Sequence, residues 1–205
     1  PFVLWSSFPD PHTPFNCPEP WCYMYNPDEV DLPKNPERDF ERRPWWHQKT
    51  FEGTPNMPDK NLVKHRAKWS RIFPPEEKEL RHLISNYYGM ISLIDHNVGR
   101  IMTSLNELGI AKNTLVVFTA DHGELLGDHG LLLKGPFIYE SLLRVGCIMR
   151  GPNIPRNRII EDPISTLDIP ATFYDYANIA KPMELNGKSL IGLMHNKENR
   201  DFAYN

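Results

Sequence analysis

The segment 74–109 constrains the fold of this chain most strongly, because its pattern predicts one long amphipathic helix. Prolines open the segment, glutamates fill its first turn and a glycine stands at its end, as is typical of helix termini. Apolar residues recur along it at alternating four- and three-residue steps. The predicted apolar stripe comprises Tyr87, Ile91, Ile94, Val98, Ile101, Leu105 and Leu108. The chain therefore contains at least one long helix with a single apolar face.

Three apolar, β-rich runs predict strands around this helix, at residues 2–8, 113–120 and 144–151. The first run is too apolar to be half exposed, so we expect a buried strand there. Residues 165–179 predict a further helix, with Ser165 as its N-cap. This alternation of strands and helices is typical of an α/β fold, with a mostly parallel sheet and helices on both faces.

The composition places the chain among ordinary soluble globular proteins. Hydrophobic residues make up 40% and charged residues 24% of its 205 residues. The net charge of -3 gives no reason to expect nucleic acid or an anionic membrane as a partner. The 3 cysteines lack a zinc spacing, although a Cys17–Cys22 disulfide remains an alternative to free thiols. Repeated prolines and mixed charges at about 34–75 predict a long surface excursion.

Polar side chains follow two of the predicted strands at the point where each strand ends. Asp121 and His122 come directly after the run "TLVVF", and Asp10 and His12 follow the first run. Ligands of open α/β sheets bind beyond the carboxyl ends of the strands. If both strands belong to one parallel sheet, His12 and Asp121 lie at the same rim. The sequence therefore predicts a shared site there.

Asp121 and His122 are suited to a divalent cation, because they supply a hard carboxylate oxygen and an imidazole nitrogen. The alternative for this pair is a helix-capping aspartate beside a solvated histidine. Asp128 and His129 form a second acidic-histidine pair after intervening glycines. For that second pair we expect a supporting role, either behind the metal ligands or as a brace of the loop.

Lys134 and His12 are the candidates for contact with an anionic substrate. A lysine near a cation site is explained if the ligand is an anion, such as a sulfate or phosphate ester, held between metal and ammonium. A histidine can donate a proton to a leaving oxygen near neutral pH. The alternatives are an exposed loop lysine and a surface histidine, and the residues alone leave both open.

Three blocks of the sequence resemble successive blocks of the sulfatase family, within the alkaline-phosphatase-like superfamily. They are "PFVLWSSFPDPHTPF", "YYGMISLIDHNVGRIMTSLNELGIAKNTLVVFTADHGELLGDHGLLLKGPFIYESLLRV" and "PISTLDIPATFYDYANIAKPMELNGKSL". They occur in the family's order and cover most of the chain outside the 34–75 excursion. The block from Asp-His-Gly to the lysine is the specific part of the resemblance.

The resemblance implies hydrolysis of sulfate or phosphate-type esters at one bound divalent cation, calcium, with manganese as the alternative. It implies that Asp121 and His122 are metal ligands. Lys134 matches the lysine that contacts the anionic oxygens of the ester and the leaving group, and His12 matches the histidine that works opposite it. The implied substrate is a small-molecule or saccharide sulfate ester, and the oligomeric state stays open.

The sequence departs from the family pattern in two respects. The family's nucleophile is a formylglycine made from the Cys or Ser of a C/S-x-P-x-R motif, and no cysteine or serine here begins that motif. The acidic pair that supplies the other metal ligands is also missing. We therefore expect residues 1–205 to form the C-terminal part of one catalytic domain, inactive alone. Phosphonate monoester or phosphate diester hydrolysis is one alternative function, and a non-catalytic anion- or partner-binding relative is another.

Overall fold

The computed structural model describes residues 2–36, 40–45, 76–135 and 137–203. Its elements are helix α1 (Glu77–Glu107), strand β1 (Val116–Thr119), helix α2 (Glu140–Leu143), strand β2 (Cys147–Arg150), helix α3 (Asp168–Tyr176) and helix α4 (Ile191–Met194). Short 3-10 turns occur at Trp21–Tyr23, Pro27–Glu29, Phe40–Arg42, Ala111–Asn113 and Asp128–Gly130. Within these ranges, every helix is too short or too polar to cross a membrane. Most of the predicted 34–75 excursion lies outside the described residues.

Two compact units divide the chain. The first comprises residues 1–108 and 122–145, and the second comprises residues 109–121 and 146–205. Helices α1 and α2 therefore belong to the first unit. The second unit contains the two strands together with α3 and α4.

Helix α1 confirms the long helix predicted from the sequence, and its ends follow local rules. Glu76 and Glu79 form a reciprocal capping box at the first turn, with the Glu79 carboxylate accepting the Glu76 N–H at 3.2 Å. Gly109, just beyond the helix, has a φ of 69°. Glycine adopts this left-handed conformation without a steric penalty, so it ends the helix cleanly.

The buried face of α1 differs from the predicted apolar stripe. Ile91 and Leu108 are 44% and 70% exposed, whereas Met90 is 1% exposed. The partner of the helix explains the shift, since an irregular proline-rich segment packs against small residues. A Cβ atom on Gly89 would lie 2.5 Å from the Trp21 carbonyl oxygen, and Ser85 donates to the Tyr25 carbonyl oxygen at 2.7 Å. Periodicity predicted the helix but not which face the neighbouring chain would cover.

Strands β1 and β2 form a two-stranded antiparallel pair, in which Val116 lies opposite Arg150 and Thr119 opposite Cys147. The two strands confirm the runs predicted at 113–120 and 144–151, but the parallel arrangement expected for them is wrong. A parallel neighbour needs a crossover connection, which is usually a full helix. In the described part of this connection the α-helix, α2, has four residues, and β2 runs in the opposite direction to β1.

The buried strand predicted at residues 2–8 is also wrong. These residues are not assigned to a strand, and Val3 and Trp5 are 100% and 84% exposed. A buried strand needs hydrogen-bonding neighbours and a covering layer. In the described part of the chain the sheet consists of β1 and β2 alone, and residues 2–8 pair with neither strand. The prediction that this segment and the "TLVVF" strand share one parallel sheet is therefore contradicted.

Helix α3 begins later than the Ser165 N-cap predicts. It starts at Asp168, and the Ser165 hydroxyl accepts the Leu167 N–H at 3.2 Å in the turn before the helix. The Asp168 carboxylate in turn accepts the Ser165 N–H at 2.9 Å. Ser165 therefore stabilises the turn that precedes α3 and is not its N-cap.

A buried ion pair ties the C-terminal segment to α3 within the second unit. The Arg200 guanidinium lies 2.8 Å from the Asp168 carboxylate, and their side chains are 8% and 7% exposed. Asp168 also accepts the Lys188 N–H at 2.8 Å, and Arg200 donates to the Ser189 carbonyl oxygen at 2.8 Å. Leu190, Leu193 and Met194, at and beside helix α4, form a small buried apolar cluster.

The three cysteines are free thiols, so the Cys17–Cys22 disulfide that the sequence left open does not form.

Candidate functional site

A short hairpin-like loop carries most of the predicted site residues of the first unit. The Leu125 N–H donates to the Leu133 carbonyl oxygen at 3.1 Å, and the Gly127 N–H donates to the Leu131 carbonyl oxygen at 2.7 Å. At its tip Gly127 has a φ of 94°, a left-handed conformation that favours glycine. An apolar cluster anchors the loop and includes Leu125, Leu131, Phe137, Tyr139 and Leu142. Backbone hydrogen bonds and apolar packing therefore define the conformation of this loop.

Glu124 lies at the start of this loop and Lys134 at its end. The hydrogen-bonded pairs 125–133 and 127–131 are symmetric about residue 129, but Leu126 and Leu133 have left-handed φ values of 43° and 63°, so the loop is not a regular strand ladder. The Glu124 carboxylate accepts the Leu125 N–H at 3.1 Å. Burial raises the pKa of Glu124, while N–H groups of the loop backbone and the Lys134 charge oppose that rise. The Lys134 charge thus favours the ionised form of the Glu124 carboxylate.

Tyr87 of α1 connects the loop to the segment that bears His12. Burial, followed by the nearby charge of Glu124, raises the pKa of Tyr87 to about 12. The Tyr87 ring packs edge-on against Phe15 with centroids 5.7 Å apart, and the Asn86 side chain donates to the Phe15 carbonyl oxygen at 3.2 Å. One turn of α1 therefore contacts the His12-bearing segment and also lies close to Glu124.

His12 is exposed, and a local hydrogen bond sets its ring chemistry. Its Nδ1 lies 2.6 Å from the Thr13 carbonyl oxygen. A carbonyl oxygen can only accept, so Nδ1 donates this bond. Nε2 is then the nitrogen that gains or loses a proton: it carries a lone pair in the neutral ring and an N–H in the cation, and only the cation can donate from Nε2 to a leaving oxygen. The backbone supports the turn, since the His12 N–H donates to the Pro9 carbonyl oxygen at 3.1 Å.

His122 has the same local arrangement, and this arrangement suits a metal ligand. Its Nδ1 lies 2.8 Å from the Gly123 carbonyl oxygen, so Nδ1 donates and the lone pair resides on Nε2. Metal-ligating histidines typically donate their other ring N–H to a carbonyl or carboxylate in this way. The imidazole of His122 therefore fits the cation that the resemblance implies.

Asp121 is exposed and follows β1, as the sequence predicts. The boundary between the two units falls between Asp121 and His122. Within residues 2–36, 40–45, 76–135 and 137–203, no three His, Cys, Asp or Glu side chains gather into a metal-binding group. The chain thus offers two suitable donor groups, and their joint binding of one cation stays a prediction. The common rim predicted for His12 and Asp121 also stays a prediction.

Asp128 and His129 lie at the tip of the loop and brace it. Asp128 Oδ2 is 3.8 Å from His129 Nε2, and the His129 ring stacks on Tyr139 with centroids 4.1 Å apart. The His129 N–H donates to the Asn35 carbonyl oxygen at 2.5 Å. These contacts agree with the bracing role expected from the sequence.

Sequence reasoning missed Glu124 and Tyr87. Both become visible only through contacts, since Glu124 acts across the loop register and Tyr87 acts from a helix distant in sequence. A signal for Glu124 was present in the near-symmetric placement of Gly127 and Gly130 around the tip. Two such glycines predict a tight reversal, which places Glu124 and Lys134 on either side of one loop.

Comparison with known proteins identifies the class to which this fold and these residues belong. The family model named Sulfatase matches residues 1–179. The chain therefore belongs to the sulfatase family, within the alkaline-phosphatase-like superfamily.

Individual relatives include sulfatases and phosphonate hydrolases. The chain is 31% identical over 213 residues to an arylsulfatase of Clostridium perfringens, covering 100% of this chain and 40% of the relative. It resembles the structure of a phosphonate monoester hydrolase from Silicibacter pomeroyi, with a TM-score of 0.76 and 27% identity, covering 93% of this chain and 37% of the other. A second phosphonate monoester hydrolase, from Agrobacterium radiobacter, matches with a TM-score of 0.70 and 26% identity, over 94% and 38% of the two chains. The chain thus spans about two fifths of the length of these relatives.

Proposed function

We propose that the protein containing this chain hydrolyses sulfate esters of small molecules or saccharides at one bound divalent cation, calcium or alternatively manganese. The nucleophile in this proposal is a formylglycine that lies upstream of residue 1, so the chain alone is inactive. The proposal keeps the mostly parallel sheet for the complete domain, with the antiparallel β1–β2 pair as part of it. The match of residues 1–179 to the Sulfatase family model is the observation that supports the proposal most strongly. Within the chain, the Tyr87 ring of α1 packs against Phe15 and so supports the segment that bears His12.

In this proposal each residue has a distinct chemical task. Asp121 and His122 bind the cation, which when bound neutralises the anionic ester and lowers the cost of nucleophilic attack. Lys134 places a fixed positive charge against the ester oxygens, where negative charge accumulates in the transition state. His12, in its protonated form, delivers the Nε2 proton to the leaving oxygen while its Nδ1 stays bonded to the Thr13 carbonyl oxygen. In the net reaction one water is consumed: the ester S–O bond breaks, a new S–O bond to an oxygen derived from water forms, and the products are an alcohol and sulfate.

Phosphonate monoester or phosphate diester hydrolysis is the second candidate function. It is favoured by the two phosphonate monoester hydrolases among the similar structures. The residues proposed here would serve either reaction, because both substrates present anionic oxygens and a leaving oxygen.

A substrate panel tests the proposal and separates these candidates. The full-length protein is offered aryl sulfates, phosphate diesters and phosphonate monoesters, and kcat/KM is measured for each with calcium or manganese present. We expect the highest kcat/KM for a sulfate ester. Preferential hydrolysis of phosphonate monoesters would assign the second function. Failure to hydrolyse any of the three classes would indicate a non-catalytic relative that binds an anion or a partner.

Replacing His12 by alanine should slow esters with poor leaving groups far more than nitrophenyl esters. Proton donation contributes on the order of 10²–10⁴ to rate, and it matters most when the departing alkoxide is strongly basic. The measurement is kcat/KM across a series of leaving groups, with the exposed His82→Ala variant as a matched control on α1. A constant loss along the whole series would reject the proton-donor role and leave His12 as an anion-binding residue.

A further inference from the structure

Helix α2 lies directly against the backbone of Gly123, the residue that follows His122. The Gly123 N–H donates to the Leu142 carbonyl oxygen at 2.8 Å. A Cβ atom on Gly123 would lie 2.0 Å from the Ser141 carbonyl oxygen, well inside van der Waals contact. Since that obstacle is backbone and not the end of a flexible side chain, position 123 admits only glycine while α2 keeps its place.

Packing and backbone hydrogen bonds hold the part of α2 that Gly123 contacts. Leu142 is 4% exposed and belongs to the apolar cluster that anchors the loop. Its N–H and the Leu143 N–H both donate to the Tyr139 carbonyl oxygen, at 2.9 and 3.0 Å. The Leu142 carbonyl oxygen therefore offers Gly123 a fixed acceptor.

Gly123 connects this fixed surface to the imidazole of His122. Its carbonyl oxygen accepts the hydrogen bond from His122 Nδ1 at 2.8 Å, while its N–H is held on α2. A histidine ring that donates from Nδ1 to a fixed carbonyl presents the lone pair of Nε2 in a defined direction, as metal-ligating histidines do. The orientation of Nε2 therefore depends on the packing of Gly123 against α2.

We propose that Gly123 is a positioning residue for His122: by packing without a side chain against α2, it holds the carbonyl oxygen that orients the imidazole for cation binding. This inference rests on the proposed role of His122 as a metal ligand and adds the residue that orients that ligand. Groups that orient a metal-bound histidine typically contribute about 10- to 100-fold to metal affinity. The alternative is that Gly123 only lets the loop pack on α2, with no effect on the His122 ring.

Calcium binding to the full-length protein tests this inference. The cation is first removed with a chelator, and the calcium dissociation constant is then measured by calorimetry. We expect Gly123→Ala to raise this constant by about 10-fold or more, because the added Cβ displaces the backbone that orients His122. In a His122→Ala background the same substitution should change the constant by less than about 2-fold. Equal losses of affinity in both backgrounds would overturn the inference, and so would an unchanged constant in Gly123→Ala alone.

Two further variants control for damage to the fold. Gly99→Ala is the matched control, since a Cβ atom there meets no other part of the described chain within 4 Å, and its calcium dissociation constant should equal that of the wild type. Leu142→Ala keeps the backbone acceptor of Gly123 but removes the buried side chain that anchors α2. It should weaken calcium binding when His122 is present and leave it unchanged in the His122→Ala background. If Gly123→Ala does not fold, this second cycle decides, and additive losses in it overturn the inference.

A measurement without any cation keeps this inference separate from the proposed function. Nitrogen NMR of the metal-free protein shows which ring nitrogen of neutral His122 carries the proton, and the His122→Ala variant assigns the signal. We expect the Nδ1-protonated form in the wild type, as the bond to the Gly123 carbonyl oxygen requires, and a larger share of the Nε2-protonated form in Gly123→Ala. If the wild type binds no cation and hydrolyses no ester, the proposed function fails while this tautomer change still supports the inference. The same tautomer populations in both proteins would overturn it.

Discussion

Replacement of Lys134 by alanine lowers kcat/KM by about 10²–10³ for every ester that the protein hydrolyses, including esters with good leaving groups. The loss is the same for all leaving groups because Lys134 contributes a fixed positive charge and no proton. A fixed positive charge stabilises the anionic oxygens in the transition state whatever the leaving group is. This prediction contrasts with the one for His12, whose contribution depends on the basicity of the leaving oxygen.

The control for this substitution is Lys112→Ala, which removes an exposed lysine from the turn Ala111–Asn113. We expect kcat/KM of the control to remain within about 2-fold of the wild type, because Lys112 is exposed and has no proposed contact with the substrate. Circular dichroism of each variant checks that the fold persists. If Lys134→Ala retains kcat/KM within about 3-fold of the wild type, the proposed substrate contact is wrong. Lys134 is then an exposed loop lysine, the alternative given in the sequence analysis.

Replacement of Asp168 by alanine destabilises the second unit by about 3–5 kcal/mol, the cost of breaking a buried ion pair. The substitution removes the buried Asp168 carboxylate at 2.8 Å from the Arg200 guanidinium and leaves the partly exposed Glu198, at 3.2 Å, as its carboxylate partner. It also removes the acceptor of the Ser165 and Lys188 N–H groups. The penalty therefore combines a weakened partner for a buried charge with lost hydrogen bonds.

The measurement is urea unfolding of the variant beside Glu140→Ala. Glu140 forms an ion pair with Arg144 at 3.6 Å, but these side chains are 79% and 82% exposed. An exposed helical pair contributes about 0.5 kcal/mol or less, so the control should stay close to the wild type. Equal unfolding midpoints for the two variants would show that the Asp168–Arg200 pair does not hold the C-terminal segment to α3.

Local rules account for the parts of the fold that could be predicted from sequence. Helix α1 follows from its capping glutamates, its periodic apolar residues and Gly109. Strands β1 and β2 follow from short apolar runs between turn residues. In each case the decisive interactions lie within a few residues of one another, so the sequence pattern contains them.

The features that could not be predicted depend on distant partners. The exposure of Trp5 and the antiparallel pairing of β1 with β2 depend on which neighbours are available and in which direction the chain returns. The buried face of α1 depends on the close approach of Trp21 to Gly89. Composition does not specify such tertiary contacts.

The candidate site divides in the same way. Asp121, His122, Lys134 and His12 could be named from residue chemistry and family resemblance. Their hydrogen bonds required the structure, because the Nδ1 contacts of both histidines are set by the turns in which they lie.

The dependence of hydrolysis on a divalent cation tests the central proposal most directly. The full-length protein is treated with a chelator, and kcat/KM for an aryl sulfate and a phosphonate monoester is measured before treatment, after it, and after calcium or manganese is restored. We expect kcat/KM to fall by at least about 10² on chelation, because the cation neutralises the reacting anion, and to recover on restoration. The His122→Ala variant should need a higher calcium concentration for half-maximal kcat/KM. Undiminished hydrolysis by the chelated protein, with the same calcium dependence in wild type and His122→Ala, would contradict the proposed metal site.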